Sequence, residues 1–269
     1  MKTFRPLLFF VSLLLIVGLA CSFGADSGGN PTAPPQPTAV QVIEPTAAPT
    51  EAPTEAPAEP TAVPPTEEPP VPQAQEFFTE EFDTLLSNDW SILTVTDSDK
   101  ADPDKVTVDS QDGRLVWNFD SEYVYYYLFY NAFDYEDVRL DVSADNRGRN
   151  NNNISLICRH DPDVGWYEFN IANNGLYEIL YAEVASNGNI GYNRIANGGS
   201  NAIKQGKETN EYAITCKGDV LTLYINGDEV NSVTEKTYGL RSGEVGMSVS
   251  SFNVLPILIE MDWVKISEP

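Results

Sequence analysis

Short alternating segments closed by turn residues constrain this chain more than any other feature. Ile154-Ser155-Leu156-Ile157-Cys158-Arg159, Trp166-Tyr167-Glu168-Phe169-Asn170-Ile171, Leu176-Tyr177-Glu178-Ile179, Tyr212-Ala213-Ile214-Thr215-Cys216-Lys217 and Leu221-Thr222-Leu223-Tyr224-Ile225 repeat one pattern. In each, apolar side chains recur at every second position, which on an extended strand puts them on one face. The breaks hold Gly165, Asn174-Gly175 and Asn226-Gly227, residues that accept the left-handed backbone of tight hairpin turns. Such a pattern specifies antiparallel strands with one buried face.

The same pattern predicts further strands at 77–82, 92–96, 105–109, 114–119, 123–130, 138–144, 230–234, 245–250 and 257–266, with no helical period of useful length between them. Residues 76–269 are enough for one well-cored domain. Many short strands with turn signals at this spacing argue for an all-β sandwich.

The N-terminal part sets the compartment. Lys2 and Arg5 precede an apolar run from Leu7 to Val17, which ends in Gly18-Leu19-Ala20-Cys21. A positive start, a short apolar core and small residues at the end form an export signal, too short to span a bilayer. The ending resembles a bacterial lipoprotein signal over residues 1–20, with Cys21 as the lipidated first mature residue; the alternative is an ordinary secretory signal cut nearby. The segment 21–75 then carries fourteen of the nineteen prolines, in units such as Ala48-Pro49-Thr50-Glu51. It cannot bury enough apolar area to offset its ordering entropy, so it is expected to be a disordered tether. About 45 residues at ~3.1 Å each would let it reach as far as ~140 Å. The expected location is therefore the outer side of a bacterial membrane, at the cell surface.

Cys158 and Cys216 remain as a pair in an oxidising compartment. By parity both thiols point to the buried face, where they either form a disulfide or stay as two free thiols. A bridge would add about 4 kcal/mol in the loop-entropy account. From Glu76 onward, 33 acidic side chains face 14 basic ones. That balance makes nucleic acid and anionic membrane surfaces poor partners. It also serves solubility alone.

In order along the chain, Phe82-Asp83, Trp90, Asp112-Gly113-Arg114-Leu115, Cys158-Arg159, Gly165-Trp166-Tyr167-Glu168-Phe169 and Asn174-Gly175-Leu176-Tyr177 come first. Tyr224-Ile225-Asn226-Gly227, Gly243-Glu244-Val245-Gly246 and Met261-Asp262-Trp263-Val264 follow. This series resembles the concanavalin A-like lectin/glucanase superfamily, which includes laminin G-like and family 16 glycoside hydrolase domains. The resemblance covers nearly all of 76–269. It implies a jelly-roll sandwich of two curved antiparallel sheets, with ligands on the concave face or at the loop rim. It also implies a calcium site remote from the ligand, at Asp262, Gly113 and Asp83, since a hard cation takes carboxylate and main-chain oxygens. Without an ion, Asp262 simply caps a turn.

Parity places Trp166, Glu168 and Asn170 away from the core, and Arg159 and Glu178 with them. An aromatic ring among carboxylates, an amide and a guanidinium suits a sugar, whose apolar face stacks while its hydroxyls are hydrogen-bonded. The alternative is a solvated convex face with Arg159 paired to a glutamate. The run 123–130 is aromatic on both faces. Its Tyr125 and Tyr127 are a stacking platform, a protein contact or a cover for loops, and Tyr192 is a loop candidate. Family 16 enzymes carry Glu-x-Asp-x-Glu on one strand, whereas this chain reads Glu168-Phe169-Asn170-Ile171-Ala172, with two of the three acids replaced. The expectation is therefore a non-catalytic, extracellular carbohydrate-binding module on a lipid-anchored stalk. The alternatives are an adhesive or structural surface protein with a protein partner at the tyrosine-rich surface, and a divergent glycosidase using Glu168 and Glu178.

Overall fold

A computed structural model describes residues 74–269; Cys21, the signal and nearly all of the tether lie outside the described residues. The strands in chain order are β1 (Phe78–Glu80), β2 (Trp90–Thr96), β3 (Val106–Gln111), β4 (Arg114–Phe119) and β5 (Val124–Tyr130). Next come β6 (Val138–Asn146), β7 (Asn152–Asp161), β8 (Gly165–Ala172), β9 (Leu176–Val184) and β10 (Ile190–Gly199). The last are β11 (Thr209–Lys217), β12 (Val220–Ile225), β13 (Asp228–Thr234), β14 (Glu244–Ser251) and β15 (Ile257–Ser267). One 3-10 turn at Pro103–Lys105 is the only helical element among the described residues.

The strands form two antiparallel sheets, one ordered β13-β12-β11-β6-β15-β4-β3 with β1 added beside β15, the other ordered β10-β9-β8-β7-β14-β5-β2. This is the sandwich that alternation predicts. The inward positions of both sheets, among them Trp117, Leu140, Leu156, Phe169, Ile214 and Met247, bury together in one core. Trp117 of one sheet meets the edge of Tyr126 of the other, with ring centroids 6.0 Å apart. A disulfide joins Cys158 on β7 to Cys216 on β11, so the two sheets are covalently tied through the core.

One strand, β10, departs from the sequence expectation, which left 190–199 as a loop. Its residues include Gly191, Gly198 and Gly199, and it pairs with β9 alone, with a bulge between Arg194 and Ala196. An edge strand exposed on one side has no need of strict alternation, so its period is weak.

A second irregularity re-aims a side chain. After Cys158 the β7–β8 register shifts, and Arg159 takes a φ of 55°. Opposite it, β14 begins beside Gly243, where a Cβ would stand 2.5 Å from the His160 carbonyl oxygen. The bulge turns Arg159 toward the loop regions, where it is 2% exposed and donates to the carbonyls of Glu136 and Leu240.

The loop carrying Leu240 is itself fastened by Glu235, which follows β13. Its carboxylate accepts from the Tyr167 hydroxyl and from the backbone N–H groups of Thr237, Tyr238 and Gly239. Burial pushes this carboxyl up, but the tyrosine and the three backbone donors outweigh it and hold it below the usual glutamate value. A lowered folded-state value stabilises the fold above the unfolded value of about 4.3 and is lost as pH falls through the folded one. In urea unfolding, the stability difference between the wild type and Glu235→Gln should therefore be constant near neutrality and shrink on acidification below about pH 4. A difference that does not change with pH would remove this role.

Candidate functional site

The outer face of the second sheet carries a groove of about 830 Å³. Its rows follow from register. Across one row lie Leu93, Tyr127, Ser248, Ser155, Asn170 and Glu178, and across the next Phe129, Gly246, Ile157, Glu168, Leu180 and Arg194. Tyr125, Asn153, Glu168, Asn170, Glu178, Tyr192 and Arg194 line the opening, with Asp97 and Phe252 on its rim. A smaller recess of about 250 Å³ shares Asn153, Asn170 and Glu178 and continues past Leu176 and Asn197.

Glu168 is the organising group. It is 1% exposed, and among the described residues no Lys or Arg pairs with it. Its Oε1 accepts from Ser155 Oγ at 2.8 Å and Asn170 Nδ2 at 3.3 Å, and its Oε2 from Trp166 Nε1 at 3.0 Å and the Tyr127 hydroxyl at 3.3 Å. Four donors from strands β5, β7 and β8 thus replace the water that an ionised carboxylate gives up on burial. The Tyr127 hydroxyl also meets that of Tyr192 at 2.7 Å. Burial, then the charge of Glu168, pushes both phenols up, so they stay neutral. Glu178 pairs with Arg194 at 2.5 Å, and Ser248 and Ser250, fully buried on the same face, leave their hydroxyl oxygens without a partner.

The structure brings Glu168, Asn170, Glu178, Tyr125 and Tyr192 to this one groove. Tyr192 stands on β10 rather than in a loop. Trp166 lies on the expected face but is 0% exposed, so it is no stacking platform. It packs edge-on against Tyr127 and Phe129 with centroids 5.5 and 5.9 Å away, and against the ring of His160 at 5.4 Å. These rings form a second, smaller apolar cluster on the outer face. Tyr127 is buried in it, so the tyrosine-rich strand presents no flat exposed row. Arg159 does not join the groove, because the bulge turns it away. Sequence reasoning missed Asn153, Arg194, Asp97 and Phe252 as groove residues. Asn153 shares parity with Ser155 and was legible that way; the loop and rim positions had no such signal.

The three positions offered for calcium come together only in part. Asp83 Oδ1 would lie 3.1 Å from a Cβ placed on Gly113. Asp262 instead faces Arg114, with Nε 3.7 Å from Oδ1. Among the described residues no group of three or more His, Cys, Asp or Glu side chains is placed to hold a metal ion.

Two antiparallel sheets with this groove on an outer face define a concanavalin A-like jelly roll. Residues 78–257 match the 3-keto-alpha-glucoside-1,2-lyase-like domain, and the chain belongs to that family. Solved structures share the fold at low identity. The β-glucanase of Bacillus licheniformis is 15% identical, with 73% of this chain and 100% of that one covered and a TM-score of 0.50. A glycoside hydrolase family 16 endo-glucanase from Bacteroides ovatus is 12% identical over 71% of this chain and 99% of that one, with a TM-score of 0.51. A prokaryotic β-1,3-1,4-glucanase from a mouse hindgut metagenome is 12% identical over 72% and 100%, with a TM-score of 0.51. None of the curated proteins matches the chain in sequence.

Glu168 gives a direct stability test. Glu168→Ala should remove four hydrogen bonds, leave the buried Ser155 hydroxyl and Trp166 Nε1–H without an acceptor, and cost about 3 kcal/mol or more in urea unfolding. Glu168→Gln, which keeps one acceptor oxygen, should cost clearly less. Two variants as stable as the wild type would show that the carboxylate does not organise this face.

Proposed function

We propose that the domain binds carbohydrate in the groove of the second sheet without cleaving it. The observation that carries this reading is Glu168 itself. A general acid or base needs an oxygen free to exchange a proton with substrate, whereas all four bonds described above engage both oxygens of this carboxylate. Asn170 and Ala172 stand where family 16 glycosidases place their other two acids, so the facing pair that hydrolysis requires is missing from this strand. What remains is suited to recognition: a ring at Tyr125 to stack on a sugar, and amides at Asn153 and Asn170 to bond its hydroxyls. The groove volume lies in the range of small-ligand sites. Export and lipidation at Cys21 complete the proposal, with the tether holding the domain outside the cell.

A second reading draws on the family description, which names a lyase acting on 3-keto-alpha-glucosides. Under it, a base in the groove would take the proton from the carbon between the keto group and the anomeric carbon while the anomeric C–O bond breaks, leaving an unsaturated keto sugar and a released sugar whose oxygen takes up a proton. The four bonds to Glu168 and the neutral Tyr192 phenol count against either as that base. Incubating the full chain with a 3-keto disaccharide separates the two, since sugar release would support the lyase and retention of intact ligand the binder.

Binding is tested with the full chain on a panel of glycans. Specific, saturable binding is expected. Tyr125→Ala and Asn170→Ala should each weaken it about tenfold, within what one stacking contact or one hydrogen bond contributes. Affinity unchanged in both variants would remove the groove from the proposal, and absence of binding across a broad panel would favour a protein-facing adhesive role.

Structural calcium is a separate part of the proposal. It would be held by Asp83 and main-chain oxygens near Gly113, with Asp262 released from Arg114, on the sheet opposite the groove. Added calcium should then raise the melting temperature and a chelator reverse it, leaving glycan affinity unchanged; identical melting curves would eliminate the ion.

A further inference from the structure

We propose that a second groove, along the free edge of β2, seats the segment Pro69-Pro70-Val71-Pro72-Gln73 of this same chain, so that the chain leaves the domain along that edge. The groove has two parts. One, of about 540 Å³, is walled by Ala74, Phe78, Leu86, Trp90 and Tyr130. The other, of about 260 Å³, shares Leu86, Ser87 and Trp90 with it and continues past Leu85 and Ile92 to Val108 on β3. Together they follow the open side of the sandwich, where β2 ends one sheet and β3 the other.

Among the described residues β2 pairs only with β5, and its sequence, Trp90-Ser91-Ile92-Leu93-Thr94-Val95-Thr96, holds neither a charge nor a proline. Edge strands are ordinarily guarded by such residues or covered by another segment. Leu85 and Ile92, at 81% and 61% the two most exposed large apolar side chains among the described residues, flank the same groove. Single apolar side chains on a surface are ordinary. Two of them beside the half-buried Trp90, over an uncharged edge, form a patch that calls for a covering segment.

The occupant follows from where the described chain begins and which way it points. The Glu76 carbonyl accepts from the Tyr135 hydroxyl at 2.6 Å, the Gln75 carbonyl accepts from the Tyr130 hydroxyl at 2.8 Å, and Ala74 lines the groove beside Trp90. Tyr130 stands on β5 and Trp90 opposite it on β2, so successive residues toward the N-terminus step across the sheet to its free edge. The next residues in that direction are Gln73, Pro72, Val71, Pro70 and Pro69, none of them charged, before Glu68 and Glu67. At ~3.1 Å each, Pro69 to Pro72 would reach ~12 Å, against ~7 Å from Trp90 to Ile92 along a strand. Proline suits such a seat, because its φ is already fixed and little freedom is lost on docking. Proline-rich segments dock in aromatic-lined grooves for that reason. Here Trp90 and Phe78 supply the rings, with centroids 5.3 and 4.9 Å from that of Tyr130.

The test is a double-mutant cycle on the full chain, read as melting temperature. Leu85→Asp should lower it by about 3 °C. In a chain that also carries Pro69→Ser, Pro70→Ser and Pro72→Ser the same substitution should shift it by less than about 1 °C, because the cover is already lost. Equal effects in the two backgrounds, including none in either, would overturn the inference. Thiol trapping supplies the location. With Cys21→Ser, Val71→Cys and Leu85→Cys, mild oxidation should bridge positions 71 and 85 within one molecule about tenfold faster than in the chain with the three serine substitutions, since docking raises the effective concentration of one thiol at the other. Equal rates would mark chance encounter, and bridges formed only between molecules would mark a neighbour's segment in the groove; either result would overturn docking within the chain. Neither readout involves the ligand groove, so carbohydrate binding stands or falls separately.

Discussion

A carboxylate removed from water with no cation beside it must be met by donors from every direction, and the outer face of the second sheet is arranged around that requirement at Glu168. Ser155 approaches from β7, Tyr127 from β5, and Trp166 and Asn170 from either side on β8 itself. Each donor is fixed in turn: Trp166 by the rings of Tyr127, Phe129 and His160, and Asn170 by its second contact with Ser155 at 3.2 Å. The apolar cluster at one end of the face and the open groove at the other are therefore two sides of one arrangement. The rings seal the carboxylate, and the amides and tyrosines beyond them remain open to a ligand.

That arrangement also sets β8 apart from the family 16 pattern of acids. The β-glucanases share the two sheets at 12–15% identity, a level that transmits architecture alone. On β8 a single acid remains, and its neighbours two and four residues along are an amide and a methyl group. Substituting Asn170 for an acid removes a like charge that would have raised the cost of burying Glu168. It also adds a donor that lowers that cost, so the residue that departs from the hydrolase pattern is the one that lets the remaining acid be buried.

Most of the fold was legible because alternation is a local signal. Parity alone put Trp166, Glu168, Asn170 and Glu178 on one face, and it placed both half-cystines in the core, where the disulfide lies. It failed where the backbone stops being regular or where a residue's surroundings come from elsewhere. Arg159 was assigned by counting from Cys158, but one left-handed residue at a bulge breaks the count. The burial of Trp166 depends on rings from β5, distant in sequence, and on His160 across the β7–β8 turn, so no reading of β8 by itself could reveal it. Asp97 and Phe252 reach the groove from the ends of strands, beyond any periodic pattern. The strand β10 was missed because an edge needs hydrogen bonds on one side only, which glycine and asparagine supply as well as valine.

The N-terminal end of the domain has a mechanical consequence. β1 is three residues long and pairs only with β15, and the carbonyls of Gln75 and Glu76 just before it are gripped by the hydroxyls of Tyr130 and Tyr135. Tension arriving along the chain from before Ala74 falls first on these two hydrogen bonds and then on that short strand. Behind it, the link between Cys158 and Cys216 encloses β8, β9 and β10, so this stretch cannot be drawn out while the bond holds. The domain thus has a weak seam where a pull would enter, and much of the groove sits inside a closed covalent loop that such a pull cannot extend.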